Sequence, residues 1–317
     1  MPITTLPGMQ ENVSLAQYTT FKIGGPAKYF YVAKSEAEII KAVEWAESEK
    51  LDFYIFGGGS NLLVSDEGFP GLIIKNENID FEFKEGKIYA GAGLNLGYLI
   101  SQCTENSLTG AEFLIGIPGT VGGAVRGNAG AWGRGMGEIV GSVKIFDGKK
   151  IRDLNSHACH FAYRDSLIKR RGHIILSIVF VLQKGVKEEI TERISEYLKK
   201  RSLSQQPKEP SAGCVFKNID LKKVDLKKAQ KALDVDDEEF QEVTKHDKLP
   251  VGFVIDHLGL KGKKIGGAEV FPAHCNFIVN TGGATASDII QLISLIKQRV
   301  RNKIGVQLEE ETQYLGF

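Results

Sequence analysis

GIPGTVGGAVRGNAGAWG, residues 116–133, decides how this chain has to be read. With the four residues after it, the stretch places nine glycines in 22 positions (116–137). In a helix or strand interior each glycine would be destabilising by roughly 0.5–1 kcal/mol relative to alanine. The density therefore predicts a loop shaped by its backbone, whose glycines adopt positive φ or let the main chain approach a ligand. A shorter stretch of the same kind, GGGSNLL (57–63), follows the apolar run FYIF (53–56), so it stands where a strand ends. Its successive N–H groups can cradle a phosphate. Either loop alone reads equally well as a structural turn. The two together, the second ending in the amide Asn128 and the aromatic Trp132, point to a phosphate or a dinucleotide lying against main chain. The candidate cofactor residues are Gly57, Gly58, Gly59, Ser60, Asn61 and Leu62 in the first loop. In the second they are Gly116, Ile117, Pro118, Gly119, Gly122, Gly123, Asn128, Gly130, Ala131 and Trp132.

Neither standard nucleotide fingerprint is present. GAGLNLG (91–97) offers Gly91 and Gly93, but Leu96 stands where the third Rossmann glycine belongs and Gly97 comes one place late. No GxxxxGK[ST] occurs. Two glycine loops without a Rossmann turn point to a different flavin fold.

Outward from the loops, Ser35 and Glu38 have capping-box spacing, and Ile39, Ile40, Val43 and Ala46 continue one face, predicting a helix over 35–50. With strands at 53–56 and 71–75 this makes a strand, helix, strand order. KIYAG (87–91) reads as a strand and 94–107 as amphipathic; strands follow near 142–146 and 174–182. A helix is expected at 186–201, with Ile190, Ile194, Tyr197 and Leu198 on one face. QQPKEPSAG (205–213) has the composition of a linker or turn, which sets a boundary near 202. Residues 219–246, rich in Lys, Asp and Glu, read as a solvated helical face. Ser287 is the expected cap of an amphipathic helix through Ile289, Ile290, Ile293, Ile296 and Val300. The expected segments are 1–80, 81–201 and 202–317, an α+β organisation without internal repeats.

Composition removes several function classes. The 317 residues carry 40 Lys plus Arg against 39 Asp plus Glu, a formal charge of +1, so no bulk field holds nucleic acid or an anionic membrane. The longest apolar run, IILSIVFVL (174–182), falls far short of the roughly 20 residues a membrane helix needs, so no membrane insertion is expected. The first 15 residues show no secretory or transit pattern, which makes a cytoplasmic location the expectation. Cys103, Cys159, Cys214 and Cys275 form no CxxC pair and are expected to be reduced thiols. His157 and His160 lack a third ligand at useful spacing, so no metal is expected.

Seven stretches in order carry a family resemblance: YTTFKIGGPA (18–27), GGGSNLL, GAEFLIGIPGTVGGAVRGNAGAWG (110–133), YRDS (163–166), PSAGCVFKN (210–218), GLKG (259–262) and LEEE (308–311). They resemble the UDP-N-acetylenolpyruvoylglucosamine reductase (MurB) family nearly end to end. The resemblance implies two FAD-binding modules of the vanillyl-alcohol-oxidase (PCMH) type followed by an α+β substrate-binding domain. It also implies noncovalent FAD, NADPH as reductant, and a nucleotide-sugar substrate whose enolpyruvyl group is reduced to give UDP-N-acetylmuramate for peptidoglycan. No long insertion separates YRDS from PSAG, so the chain is similar to the shorter subtype without the extra substrate-covering loop.

The chemistry implied is hydride addition to an enol ether conjugated to a carboxylate, which requires a fixed cation where negative charge develops. The family pattern puts its catalytic arginine at Arg164, whose planar fork suits a carboxylate. The proton donor position, usually serine, is Cys214 here; a thiol with a free pKa near 8.5 is a stronger acid than a hydroxyl. Glu311 matches the family's C-terminal glutamate, which as a neutral acid can donate a hydrogen bond to the developing charge. It has Glu309 and Glu310 as neighbours, the latter where a proline is common. Tyr163, Lys217, Asn218, His274 and Asn276 are the implied substrate residues, although Phe271 and Ala273 replace a Ser and a Lys frequent in the family. Lys261, Lys263 and Lys264 form a possible basic rim for a diphosphate. Other readings are a flavin oxidase of the same fold, which often tethers its flavin through a His or Cys absent from both loops, and a nonenzymatic nucleotide-sugar-binding flavoprotein.

Overall fold

A computed structural model describes residues 5–202 and 207–317; residues 1–4, at the head of the segment 1–80, and the start of the expected linker at Gln205 and Gln206 lie outside it. The chain forms two compact units. The first comprises the described residues up to Val13 together with Pro26–Gly59 and Phe69–Ser202; the second comprises Ser14–Gly25, Ser60–Gly68 and the described residues from 207 onward. Two short N-terminal stretches are thus grouped with the C-terminal part.

The first unit is built on two larger sheets. In one, the strand Phe69–Asn76 lies between Pro26–Ala33 and Phe53–Phe56 and is parallel to both, with Gln10–Ser14 at the edge. Parallel neighbours need a crossover, and the helix Glu36–Ser48 supplies it. Extended Ser35 accepts from the Glu38 N–H at 3.2 Å, but Glu38 Oε2 reaches the Lys34 N–H rather than closing the box on Ser35. Ile39, Ala42, Val43 and Ala46 are buried against Tyr29, Tyr31, Leu72 and Ile74. The other sheet is antiparallel, in the order Ile151–Asn155, Val140–Phe146, Ile174–Val181, Lys87–Gly91, Phe81–Lys84. Ser177 interrupts the apolar run because its hydroxyl donates to Glu36 Oε1, and Lys144 pairs with the other oxygen of Glu36 at 3.2 Å. The helix Lys187–Ser202 lays Ile190, Ile194 and Tyr197 toward this unit, whereas Leu198 is exposed.

In the second unit an antiparallel sheet runs in the order Ser211–Cys214, Phe277–Asn280, Ala268–Val270, Lys264–Ile265. The end of the expected linker is thus a strand. Against the sheet packs the helix Ala286–Ile304 through Ile289, Leu292, Ile293, Ile296 and Val300. Its cap is Thr285, not Ser287: Thr285 and Asp288 close a full capping box, while the Ala286 and Ser287 N–H groups donate to the Asp66 carboxylate. The charged stretch 219–246 forms two short helices, Leu226–Leu233 and Asp237–Thr244, that bury Ala229, Leu233 and Phe240. The strand Leu62–Val64 runs parallel to Gln313–Leu315, which draws the residues after the first glycine loop into this unit. Among the described residues no helix is long and apolar enough to cross a membrane.

Candidate active site

In the first unit the two glycine loops meet backbone to backbone. A Cβ on Gly58 would lie 2.6 Å from Gly119 Cα, and one on Gly57 would lie 2.7 Å from Thr120 Oγ1. Such an approach admits only glycine. Lys75, next to last in the strand Phe69–Asn76, donates to the Gly57 carbonyl; burial lowers its pKa, against a smaller upward pull from Glu77. A cleft of about 650 Å³ opens here, lined by Gly58, Lys75, Asn95, Gly119 and Thr120 among others. Lys75, Asn95 and Thr120 were not among the expected residues. A lysine ending an apolar strand, just before a turn, was the visible signal for Lys75.

The remaining glycines of the second loop divide by what faces them. A Cβ on Gly122 would meet Ala92, one on Gly130 the Arg134 carbonyl, and one on Gly116 the Arg201 side chain, so at these three positions glycine permits close packing of the loop. Gly123 differs. It is exposed, and a Cβ there would find only Thr120 Oγ1, at 3.5 Å. Gly59 and Gly119 hold positive φ of 61° and 118°. Ile117 packs toward the core, Pro118 sits between Ile117 and Gly119, and Ala131 lies in a tight hairpin with Arg134. The Trp132 ring, expected to face a dinucleotide, stacks on Tyr197 with centroids 5.6 Å apart.

Asn128 joins the second loop to YRDS. Its Nδ2 donates to the Ala162 carbonyl at 2.8 Å and its Oδ1 accepts from the Gly137 N–H at 2.9 Å. Ala162 and Asp165 exchange two backbone hydrogen bonds around a turn in which Arg164 has φ +55°. A left-handed non-glycine residue persists only where its surroundings enforce it. Here Asn128 holds one side of the turn and Ser166, donating to the Arg126 carbonyl at 2.7 Å, holds the other. The Arg164 guanidinium lies 5.4 Å from the centre of the exposed Tyr163 ring.

In the second unit, Cys214 ends the strand Ser211–Cys214 opposite Phe277, after Gly213 at φ +78°. It is half-buried, whereas Cys103, Cys159 and Cys275 are buried and their thiols are pushed up by that burial, to about 12, 11 and 11. Asn276 grips the following backbone: Nδ2 donates to the Phe216 carbonyl at 2.8 Å, Oδ1 accepts from the Phe216 N–H at 3.0 Å, and the Asn276 carbonyl accepts from the Val215 N–H at 2.8 Å. The Val215 carbonyl in turn accepts from the Glu311 N–H at 2.7 Å. Cys214 and Glu311, far apart in sequence, are thus one residue and one hydrogen bond from each other.

The three acids of the tail have separate fates. Glu309 pairs with Lys223 at 2.7 Å and Lys217 at 3.5 Å, and Glu310 with Lys297 and the Tyr314 hydroxyl. The Glu311 side chain is half-buried. Asn218 Oδ1 accepts from the Val251 N–H at 3.2 Å, at the start of the helix Val251–His257. His274 lies near the same helix end; its Nδ1 is buried with no hydrogen-bond partner among the described residues, its ring leans on Phe277, and burial lowers its pKa. Lys261 and Lys264 pair with Asp256 and Glu269, which leaves little of the expected basic rim.

From Ser60 the loop enters the second unit, where Leu62 pairs with Gln313 in buried backbone. Asn61, expected to face a cofactor, donates through Nδ2 to the Glu311 carbonyl at 3.1 Å.

A family model described as FAD binding domain matches residues 27–149, and one described as UDP-N-acetylenolpyruvoylglucosamine reductase, C-terminal domain, matches residues 205–315. The chain is 38% identical over 328 residues to the UDP-N-acetylenolpyruvoylglucosamine reductase of Prochlorococcus marinus, covering 99% of this chain and 98% of that one. It is 35% identical over 312 residues to that of Lachnoclostridium phytofermentans, covering 96% and 92%. The crystal structure of UDP-N-acetylenolpyruvylglucosamine reductase (MurB) from Thermus caldophilus superposes with a TM-score of 0.76 at 33% identity, covering 97% of this chain and 99% of that one.

Proposed function

The chain belongs to the UDP-N-acetylenolpyruvoylglucosamine reductase (MurB) family, and from that premise we propose how its residues divide the work of the reaction. The protein is an FAD-dependent oxidoreductase that uses NADPH to reduce the enolpyruvyl group of a UDP-N-acetylglucosamine enol ether to UDP-N-acetylmuramate, in peptidoglycan precursor synthesis. We place this activity in the cytoplasm. Bound FAD supplies the hydride relay between NADPH and the substrate.

The fit of this chain to FAD rests on the first unit. Gly123 is exposed and has only Thr120 Oγ1 at ordinary contact distance from its Cβ position, and Gly58 and Gly119, in close backbone contact, both line the cleft. Gly57, Gly58, Gly59, Gly119 and Gly123 would hold the cofactor, with Lys75 fixing the first loop. Gly116, Gly122 and Gly130 act by permitting loop packing.

Arg164 is the cation for the substrate carboxylate, its guanidinium presented by a turn that Asn128 and Ser166 hold. Hydride arrives at the terminal carbon of the enol ether, and the electron pair that shifts to the neighbouring carbon takes a proton from the Cys214 thiol. Solvent then reprotonates the thiolate. Glu311, in its neutral form, donates a hydrogen bond to the carboxylate while charge accumulates there. Tyr163, Lys217 and His274 contact the nucleotide sugar; Asn218 and Asn276 act from behind by fixing the backbone that carries the others.

The observation that carries this reading is the Glu311 N–H bond to the Val215 carbonyl, because it brings the proposed acid to the residue beside the proposed proton donor. An anaerobic stopped-flow experiment tests it: NADPH bleaches the flavin, and the enolpyruvyl substrate restores colour. Arg164→Ala, Cys214→Ala and Glu311→Ala should each bleach normally and recover slowly. Normal recovery in all three overturns the assignment.

A further inference from the structure

We propose that Asn61, the asparagine of the first glycine loop, is a positioning residue for Glu311 and acts on the reaction through it; the inference rests on the reading of Glu311 given above. Asn61 stands where the strand Leu62–Val64 begins to run beside Gln313–Leu315. Its Nδ2 donates to the Glu311 carbonyl at 3.1 Å, and its own carbonyl accepts from the Gln313 N–H at 3.0 Å. Gln313 Nε2 donates to the same Glu311 carbonyl, also at 3.1 Å. On the other side, the Glu311 N–H donates to the Val215 carbonyl at 2.7 Å. Both polar groups of the Glu311 main chain are therefore fixed, and with them the direction in which its side chain leaves the backbone.

The side-chain chemistry at position 61 is specific. A carbonyl oxygen only accepts, so the amide nitrogen must face it, and the amide orientation follows from the partner. Asn61 Oδ1 is buried and has no hydrogen-bond partner among the described residues. An aspartate would set a negative oxygen against the Glu311 carbonyl, and an aliphatic residue would leave that carbonyl with Gln313 as its side-chain donor. A glycine loop read for its cofactor thus ends in a residue whose amide serves the substrate end of the chemistry.

The test is a double-mutant cycle on the full-length FAD-loaded enzyme, read on substrate-driven recovery of flavin colour. Asn61→Ala should slow recovery by about 5- to 10-fold, the effect of losing one hydrogen bond. Asn61→Ala combined with Glu311→Ala should recover no more than about twofold slower than Glu311→Ala alone, because the two act as a unit. Hydrogen exchange of the peptide covering residues 309–313 should quicken by about 5- to 10-fold in Asn61→Ala with NADPH absent. If Asn61→Ala loses its flavin, Gln313→Ala removes the second donor on the same carbonyl and should show the same non-additivity with Glu311→Ala. Additive losses in either cycle, or unchanged exchange at 309–313, overturn the proposal. Recovery at the wild-type rate in Glu311→Ala itself overturns the role of Glu311, and that single variant separates the two failures.

Discussion

The Asn128 amide donates to the Ala162 carbonyl at 2.8 Å and so fastens the second glycine loop to the turn that holds Arg164 at φ +55°. A loop read as a cofactor cradle therefore also sets the aim of a guanidinium. Arg164→Lys should slow substrate reduction by about 10² to 10³, because a point charge cannot replace a planar fork of donors at developing negative charge. Asn128→Ala should move the same step in the same direction by a smaller factor. NADPH bleaching and substrate recovery, followed separately, check both; an equal loss in the two half-reactions of Arg164→Lys would mean a general defect.

Gly58→Ala and Gly123→Ala should separate packing from ligand contact. At Gly58 the new methyl meets Gly119 Cα at 2.6 Å, so the loops must part, and both apo-protein stability and flavin affinity should fall. Gly123 is helical with ordinary space around it, so alanine should stabilise the apo-protein by about 0.5–1 kcal/mol while weakening FAD. Thermal midpoints without FAD, alongside FAD titrations, give the answer. Undiminished FAD affinity in Gly123→Ala removes that face of the loop from the cofactor site.

Local signals were legible where chemistry is local. Ser35 announces its helix, FYIF and GLIIK their strands, and Ser177 interrupts an apolar run because one polar partner, Glu36, lies beyond it. The cap at Thr285 was misplaced by two residues, since Ser287 fits the same template and only Asp66, distant in sequence, distinguishes them. The glycines of 116–133 look alike in sequence, yet a Cβ on Gly122 would collide with Ala92 whereas one on Gly123 would make only ordinary contact with Thr120 Oγ1. Asn61 was read with the loop it belongs to, whereas its partner, Glu311, is supplied by the far end of the chain. Nothing local encodes that pairing.

His274 gives a pH prediction. Burial lowers its pKa below the usual value near 6.5, so the unfolded chain takes up a proton before the folded one does. The contribution to stability is whole above about pH 6.5 and declines as pH falls toward and through the lowered folded value. Replacing His274 with Gln should flatten the loss of stability between pH 7.5 and 5.5, measured by denaturant midpoints. Equal losses in both proteins place the titrating group elsewhere.

Truncation after Leu308 would test the tail crudely, because it also removes Gln313–Leu315 from beside Leu62–Val64. Glu311→Ala keeps that strand, so it should fold and take up FAD while recovering colour with substrate about 10² or more slowly. A wild-type recovery rate makes Glu311 a bystander.

Cys214 carries the last prediction, and the burial of the other cysteines sharpens it. Thiolates are the reactive species, and burial pushes Cys103, Cys159 and Cys275 up to about 12, 11 and 11, so alkylation near pH 8 should find the half-buried Cys214 first. One equivalent of label should leave NADPH bleaching intact and block recovery by substrate; bound substrate should protect. Cys214→Ser keeps an exchangeable proton at the same position and should stay active, whereas Cys214→Ala should slow recovery by about 10² to 10⁴, the range for a positioned general acid. If Cys214→Ala turns over normally while remaining unlabelled, the proton comes from another source and the thiol is a packing group on the strand Ser211–Cys214.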